Sequence, residues 1–148
     1  MNIKIWLSAI ILFLLLFIGC NAPPETAKVI QVIDGDTITI EGGYRVRYIG
    51  IDTPEIYPVL EAYGTEAWQA NRKRVEGKKV RLERDVSETD KYGRLLRYVY
   101  VDNVLVNAEL VRLGLAEVKA YPPDTKYQDF LEQMKTEARE AGRGMWAK

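Results

Sequence analysis

From Lys28 onward, short apolar and β-branched runs broken by turn residues mark a chain that is β first and then mixed. "KVIQVI" enters the turn "DGDT" and leaves through "TITIE". An Asp-Gly turn between β-branched runs predicts a hairpin. "GGY" turns the chain again into a third strand, "RVRYIGI". The pattern then turns helical. "TEAWQANRKRVEG" predicts a first helix, with Thr65 as N-cap, Trp68 and Val75 facing inward and Gly77 as its stop. Strands resume with "KKVRLERD" and, past a polar turn, with "RLLRYVYVDN". In the latter, Leu96, Tyr98 and Tyr100 share one face and Leu95, Val99 and Val101 the other. "VLVNAELVRLG" predicts a second helix ended by Gly114. A third is expected from about Thr125 to Ala141, with Tyr127, Phe130, Leu131, Met134 and Ala138 as its apolar stripe. Five short strands with a helix inserted among them predict an α+β domain that is mainly β. The expected architecture is a small five-stranded barrel of the OB type with three helices.

Ahead of this domain the pattern is different. Ile5 to Ile18 are fourteen uncharged, mostly apolar residues behind a single Lys4. That is shorter than the span of about 20 residues a membrane helix needs, and it matches the apolar core of an export signal. The one cysteine, Cys20, closes the run in "FIGC". The stretch resembles a bacterial lipoprotein signal, in which the cysteine is acylated and becomes the new N-terminus; Phe17 stands where Leu is usual. The chain then divides into a signal peptide (1–19), a tether (20–27) with Cys20 as the lipid attachment, and a domain (28–148). Its expected place is outside the cytoplasm, anchored to the membrane or secreted. Residues 21–27, at about 3.3 Å each, reach on the order of 23 Å, so an anchored domain works close to the bilayer.

Composition narrows the chemistry. There is no histidine, and no cysteine after position 20. Ser-His-Asp and Cys-His catalysis, histidine bases and Cys/His zinc sites are therefore excluded from the domain. Carboxylates, Arg, Lys, Tyr or a hard cation held by oxygen remain. The chain balances 21 basic against 21 acidic residues, a poor basis for holding polyanions by bulk charge. Only Arg72 to Arg97 is locally basic, with ten Lys or Arg against five Asp or Glu. Weak, strongly salt-sensitive affinity for long nucleic acid is the expectation.

Four polar segments stand out, and each alone has a plain explanation. Asp34 and Asp36 suit a turn, and Asp52-Thr53-Pro54-Glu55 suits a loop with local hydrogen bonds. Arg47 in a strand suits a solvated face, and "TDKYGR" (89–94) suits a polar turn. Together they mean more. Asp36 opens the strand expected to pair with the one leading to Asp52, so the two carboxylates come near each other. Held close, they repel unless one protonates or a divalent cation takes their oxygens. Arg47 and Arg94 add planar donor forks suited to phosphate. Carboxylates, cation and arginines around one anion are the parts of a phosphodiester hydrolase.

"VIDGDTITI", "RVRYIGIDTPE", "YGTEAW", "DKYGRLLRYVYVDNVLVNAELVRLGLAEV" and the terminal "GMW" closely resemble the staphylococcal (thermo)nuclease family, from about Lys28 to Trp146. The resemblance implies an OB barrel with three helices and a Ca²⁺-dependent nuclease acting on DNA and, secondarily, RNA. By matched position, Asp36 and Asp52 would be carboxylate ligands of Ca²⁺, and Thr53 would offer its backbone carbonyl. Glu55 would activate or orient the attacking water, and Arg47 and Arg94 would bind phosphate and stabilise the transition state. Lys91 and Tyr92 would lie near the terminal phosphate of the nucleotide. The family would leave 3′-phosphate ends, and a monomer is expected.

The match thins in two places. The loop "IYPVLEAYG" after Glu55 is short and holds no Lys or Arg, where family members often carry basic residues. After "LAEV", where the family places base-stacking aromatics, "KAYPPD" aligns with a shift that leaves Tyr121 as the stacking candidate and Ala120 in an aromatic's place. The alternatives are a non-catalytic OB module binding nucleic acid or protein, and an envelope lipoprotein with a decayed site. All six matching positions at the centre are intact, which favours the enzyme.

Overall fold

The computed structural model describes residues 22–148. Cys20, the signal peptide and the start of the tether lie outside them.

Alternation became strand wherever a branched side chain could alternate into one core. β1 (Thr26–Val32), β2 (Thr37–Ile40), β3 (Arg45–Tyr48), β5 (Lys79–Glu83) and β6 (Leu95–Val101) form the barrel, in the order β3-β2-β1-β5-β6. A parallel pairing of β3 with β6, Val46 opposite Leu95, closes it. β1 serves two neighbours. Its first half pairs with β5, its second with β2, and the register slips between Val29 and Gln31 where it changes partner. Inside lie Val29, Ile38, Ile40, Val46, Val80 and Val99, all within 1% of full burial. Each such side chain contributes about 1.5–3 kcal/mol of transfer free energy. The OB barrel with three helices is thus the observed fold.

The third predicted strand breaks in two. Gly50, at φ +79°, ends β3 and aims β4 (Ile51–Asp52) away from the barrel. There β4 pairs with the short β8 (Glu117–Val118), Asp52 opposite Glu117. β1 begins at Thr26, two residues earlier than expected.

α1 (Gly64–Val75) starts one residue before the expected cap. Tyr63, at φ 68°, occupies the N-cap position without a side-chain bond, and Thr65 is an exposed residue of the first turn. Arg72, Lys73 and Arg74 fill its last turn, where the helix dipole favours cations. Trp68 and Val75 do face inward, and the Trp68 indole N–H donates to the Val32 carbonyl at 3.1 Å. α2 (Val106–Arg112) follows the two-residue β7 (Val104–Leu105). α3 (Gln128–Glu140) is shorter than predicted, and Tyr127 is its N-cap. Leu131 and Ala138 are buried and Met134 packs on the core, but Phe130 is exposed. Tyr127 meets Tyr98 edge to face, with centroids 4.6 Å apart. The even face of β6 therefore looks toward α3 while Leu95, Val99 and Val101 fill the barrel.

Candidate active site

The "DGDT" corner is built by its own side chains. Asp34 Oδ1 accepts the Asp36 N–H at 2.9 Å, an Asx turn that fixes where Asp36 points. Gly35 serves packing: a Cβ there would come within 2.5 Å of Thr53 Oγ1. Thr53 is therefore pressed against the hairpin, and its N–H donates to Asp36 Oδ2 at 2.8 Å. α1 holds the same corner from behind. Buried Asn71 donates to the Asp34 carbonyl at 3.1 Å and accepts the buried Tyr48 hydroxyl at 2.8 Å.

Arg47 is the centre. Its Nη1 lies 2.9 Å from Asp36 Oδ2, and its Nη2 donates to Asp52 Oδ1 at 2.7 Å. The same Nη1 donates to the carbonyls of Tyr48 (3.1 Å) and Ile51 (3.0 Å). The two carboxylates thus converge on one cationic group, as the strand pairing predicted. In this arrangement the group between them is the guanidinium. Asp52 takes a second cation on its other oxygen, Lys119 Nζ at 2.8 Å.

Burial pushes the Asp36 carboxyl up to about 7; Arg47 opposes this, Asp34 and Asp52 reinforce it, and the Thr53 N–H counters it. Desolvation also raises Glu55, helped by the negative charges of Asp34, Asp52 and Glu61 and opposed by Arg47. A carboxyl raised in this way is suited to accept a proton.

These groups line one cleft of about 710 Å³ together with Asp90, Lys91, Tyr92, Arg94, Lys119 and Tyr121. Arg94 is aimed by Asp90. The Asp90 carboxylate accepts the Tyr92 and Arg94 N–H groups at 2.9 and 3.0 Å and takes Arg94 Nε at 2.7 Å. Lys91 and Arg94 both stand over the exposed Tyr92 ring, 5.0 and 5.5 Å from its centroid. Tyr121, also exposed, has Lys119 Nζ 5.6 Å from its ring. Arg47, Glu55, Arg94, Asp36, Asp52, Lys91, Tyr92 and Tyr121 therefore share the cleft, while Thr53 does not line it and touches the site by its N–H bond to Asp36. Cys20 lies outside the described residues.

Sequence reasoning passed over Lys119 and the steering roles of Asp90 and Asn71. Lys119 follows "LAEV", and only the pairing of β8 with β4 brings it to Asp52. Asp90 did carry a signal, since Asp four residues before Arg around a Gly is the pattern of a self-capped turn. Most arginines of the locally basic run are paired, Arg72 with Glu76, Arg81 with Glu83, Arg84 and Arg97 with Glu88, and Arg74 with Glu109 outside the run.

The donor set fits a hard divalent cation. Two carboxylates already converge on a positive group, a third stands in the same cleft, and all the oxygens are of the kind Ca²⁺ and Mg²⁺ take. Among the described residues no group of three or more acidic side chains is gathered closely enough to hold an ion alone. Water, phosphate or a backbone oxygen would have to complete the shell.

The family described as staphylococcal nuclease homologue matches residues 45–148. The thermonuclease of Staphylococcus hyicus is 41% identical over 133 residues, 86% of this chain and 79% of its own length. That of Staphylococcus intermedius is 41% identical over 128 residues, 82% and 76% of the two chains. Endonuclease YncB of Bacillus subtilis is 41% identical over 126 residues, 80% of this chain and 60% of its own.

Proposed function

The chain belongs to the staphylococcal nuclease family, and on that premise we propose that it is a nuclease hydrolysing phosphodiester bonds of DNA, and of RNA as a second substrate. The observation that carries this reading is the meeting of Asp36 and Asp52 on Arg47, in a cleft that also holds Glu55 and Arg94.

Asp36, Asp52 and the Thr53 carbonyl are the residues that would hold a divalent cation, Ca²⁺ in the first instance. Bound there, it would supply positive charge to a phosphate oxygen and acidify a water. The chain's own groups do the rest. Arg47 is held by two backbone carbonyls and by the Asp36 and Asp52 carboxylates, which together fix the direction of its guanidinium in the cleft. Arg94, aimed by Asp90, offers the second fork. Together they neutralise charge as the attacking water's oxygen bonds to phosphorus and the phosphorus–oxygen bond to the leaving sugar breaks. Glu55 accepts the water's proton, and its raised pKa suits that task. The leaving oxygen takes a proton from solvent. Lys91, Tyr92 and Tyr121 are assigned to grip the nucleotide.

The test is digestion of single- and double-stranded DNA and of RNA by the purified protein with Ca²⁺, with Mg²⁺ and with chelator. Cleavage with Ca²⁺ and none with chelator is expected. Cleavage undiminished by chelator would remove the metal, and binding without cleavage in every condition would favour a non-catalytic OB module. Arg47→Ala and Arg94→Ala should each cost orders of magnitude in rate, since a comparable arginine is worth about 10³–10⁵ elsewhere.

Export with acylation at Cys20 is part of the same proposal, supported by the apolar run that ends there. Among the described residues no helix is long and apolar enough to cross a membrane. Cys20→Ser should move the protein from the membrane fraction to the medium. A monomer is expected on sizing.

A further inference from the structure

Between Arg47 and Arg72 the sequence contains no Lys or Arg, but it contains Asp52, Glu55, Glu61 and Glu66. Of its acidic residues Asp52 and Glu55 line the cleft, and the loop beyond Glu55 has no cation of its own to hold a phosphate backbone. Besides Arg47, the cations of the cleft are Lys91, Arg94 and Lys119.

The loop after Glu55 is pinned at its neck. The Glu55 N–H donates to Glu61 Oε2 at 2.9 Å, the Glu61 N–H to the Glu55 carbonyl at 2.9 Å, and the Gly64 N–H to the Glu61 carbonyl at 3.0 Å. Gly64 packs so tightly that a Cβ there would lie 2.4 Å from the Glu55 carbonyl oxygen. The base of the loop is thus fixed beside a side chain that lines the cleft. Its tip carries Tyr57, Val59 and Leu60, which are 81%, 69% and 62% exposed. Among the described residues nine large hydrophobic side chains are exposed, and five of them belong to this tip or, as Tyr92 and Tyr121, to the cleft. Three exposed apolar side chains within four residues of the loop tip mark a contact surface.

We infer that the Tyr57–Leu60 tip is a nucleobase subsite: it receives the flat face of an unpaired base beside the scissile phosphate, with Tyr57 as the stacking ring. The inference rests on the nuclease reading and deepens it. Three observations select a base over other occupants. The tip begins two residues past Glu55, which lines the cleft; it is apolar and aromatic; and its loop carries Glu61 but no Lys or Arg to draw a phosphate. A strand lying in the cleft would set its phosphates along Arg47, Lys91, Arg94 and Lys119, with bases free to turn toward the loop. Base–aromatic stacking tolerates any sequence because every base has a π-face. In a duplex those faces are covered by neighbouring bases, so the subsite serves single strands and frayed ends.

The experiment is a cycle on two probes of equal charge, a short oligothymidylate and an equally long strand of abasic sugar phosphates. Each is cleaved by wild type, by Tyr57→Ser, and by Ile30→Ser as a control for loss of exposed apolar surface. Tyr57→Ser should lower kcat/KM on oligothymidylate about tenfold, the size of one aromatic stack. It should leave the abasic strand unaffected, and Ile30→Ser should change neither. Equal losses on both probes, or no loss on either, would overturn the subsite, including the case in which the tip contacts a protein or a lipid surface. If wild type cleaves neither probe under any metal condition, the nuclease reading fails first. Fluorescence anisotropy of the same probes then decides the subsite separately, a Tyr57-dependent preference for bases supporting it and its absence refuting it.

Discussion

Asn71 offers a test of how the scaffold holds the cleft. It is fully buried on α1, accepts the Tyr48 hydroxyl and donates to the Asp34 carbonyl. Asn71→Ala deletes both bonds, each worth about 1 kcal/mol net. It also strands the hydroxyl of Tyr48, a residue only 1% exposed. An unsatisfied buried hydroxyl costs about 1–3 kcal/mol, so a total loss of about 2–4 kcal/mol is expected. Tyr48→Phe alone leaves the Asn71 oxygen without its donor and should cost about 1–2 kcal/mol. Combining the two removes donor and acceptor together. The double variant should therefore be more stable than the sum of the single losses predicts, by about 1–2 kcal/mol. Urea unfolding followed by tryptophan fluorescence reads all four proteins, since Trp68 donates to the neighbouring Val32 carbonyl. Additive single losses, or an Asn71→Ala cost below about 0.5 kcal/mol, would show that the bridge contributes nothing specific. Because Asp34 positions Asp36, nuclease activity of the single variant should also fall at temperatures where it remains folded.

Asp90→Asn keeps an oxygen for the Tyr92 and Arg94 N–H groups but loses the ion pair to Arg94 Nε; kcat should fall about tenfold with KM nearly unchanged, and no further loss should appear on an Arg94→Ala background. Gly114→Ala would place a Cβ 2.1 Å from the Arg143 carbonyl at φ +71°, and should cost at least about 2 kcal/mol in thermal unfolding. Gly43→Ala, at φ +80° with nothing within 4 Å, should cost only the left-handed penalty of about 1–2 kcal/mol. Partial burial raises Glu83 and Asp90, but hydrogen bonds from Lys126, Tyr127 and Arg81 to Glu83, and from Arg94 and Tyr92 to Asp90, bring both below the usual carboxylate range; Arg97 and Arg84 lower Glu88. The stability these groups add is complete above their unfolded values and is lost as pH falls through the depressed ones, so urea midpoints should drop below about pH 4. Glu88→Gln should soften that drop.

The barrel was legible because Ile38, Ile40 and Val46 alternate with polar neighbours, and that alternation survives any choice of partner strand. Asp36, Asp52, Arg47 and Arg94 were legible for a similar reason, since their residue types restrict the chemistry before their positions are known. The features that escaped depend on contacts far along the chain. Lys119 meets Asp52 across 67 residues, and nothing local announces it. Gly35 reads as a turn former, yet its missing side chain makes room for Thr53. Thr65 has the right chemistry for a cap, but Tyr63 turns left-handed one position before the helix and starts it early. Phe130 fits the helical period of α3 and still faces solvent, because the period gives a stripe's direction and not its width.

Both backbone supports of Arg47 come from its own immediate segment, one residue and four residues ahead, with the bend at Gly50 between them. The aim of this guanidinium is consequently written into six consecutive residues, 47–52, which also carry Asp52. On heating, outer helices can loosen while this cassette moves as one body, so the alignment of arginine with carboxylate should be among the last features to melt.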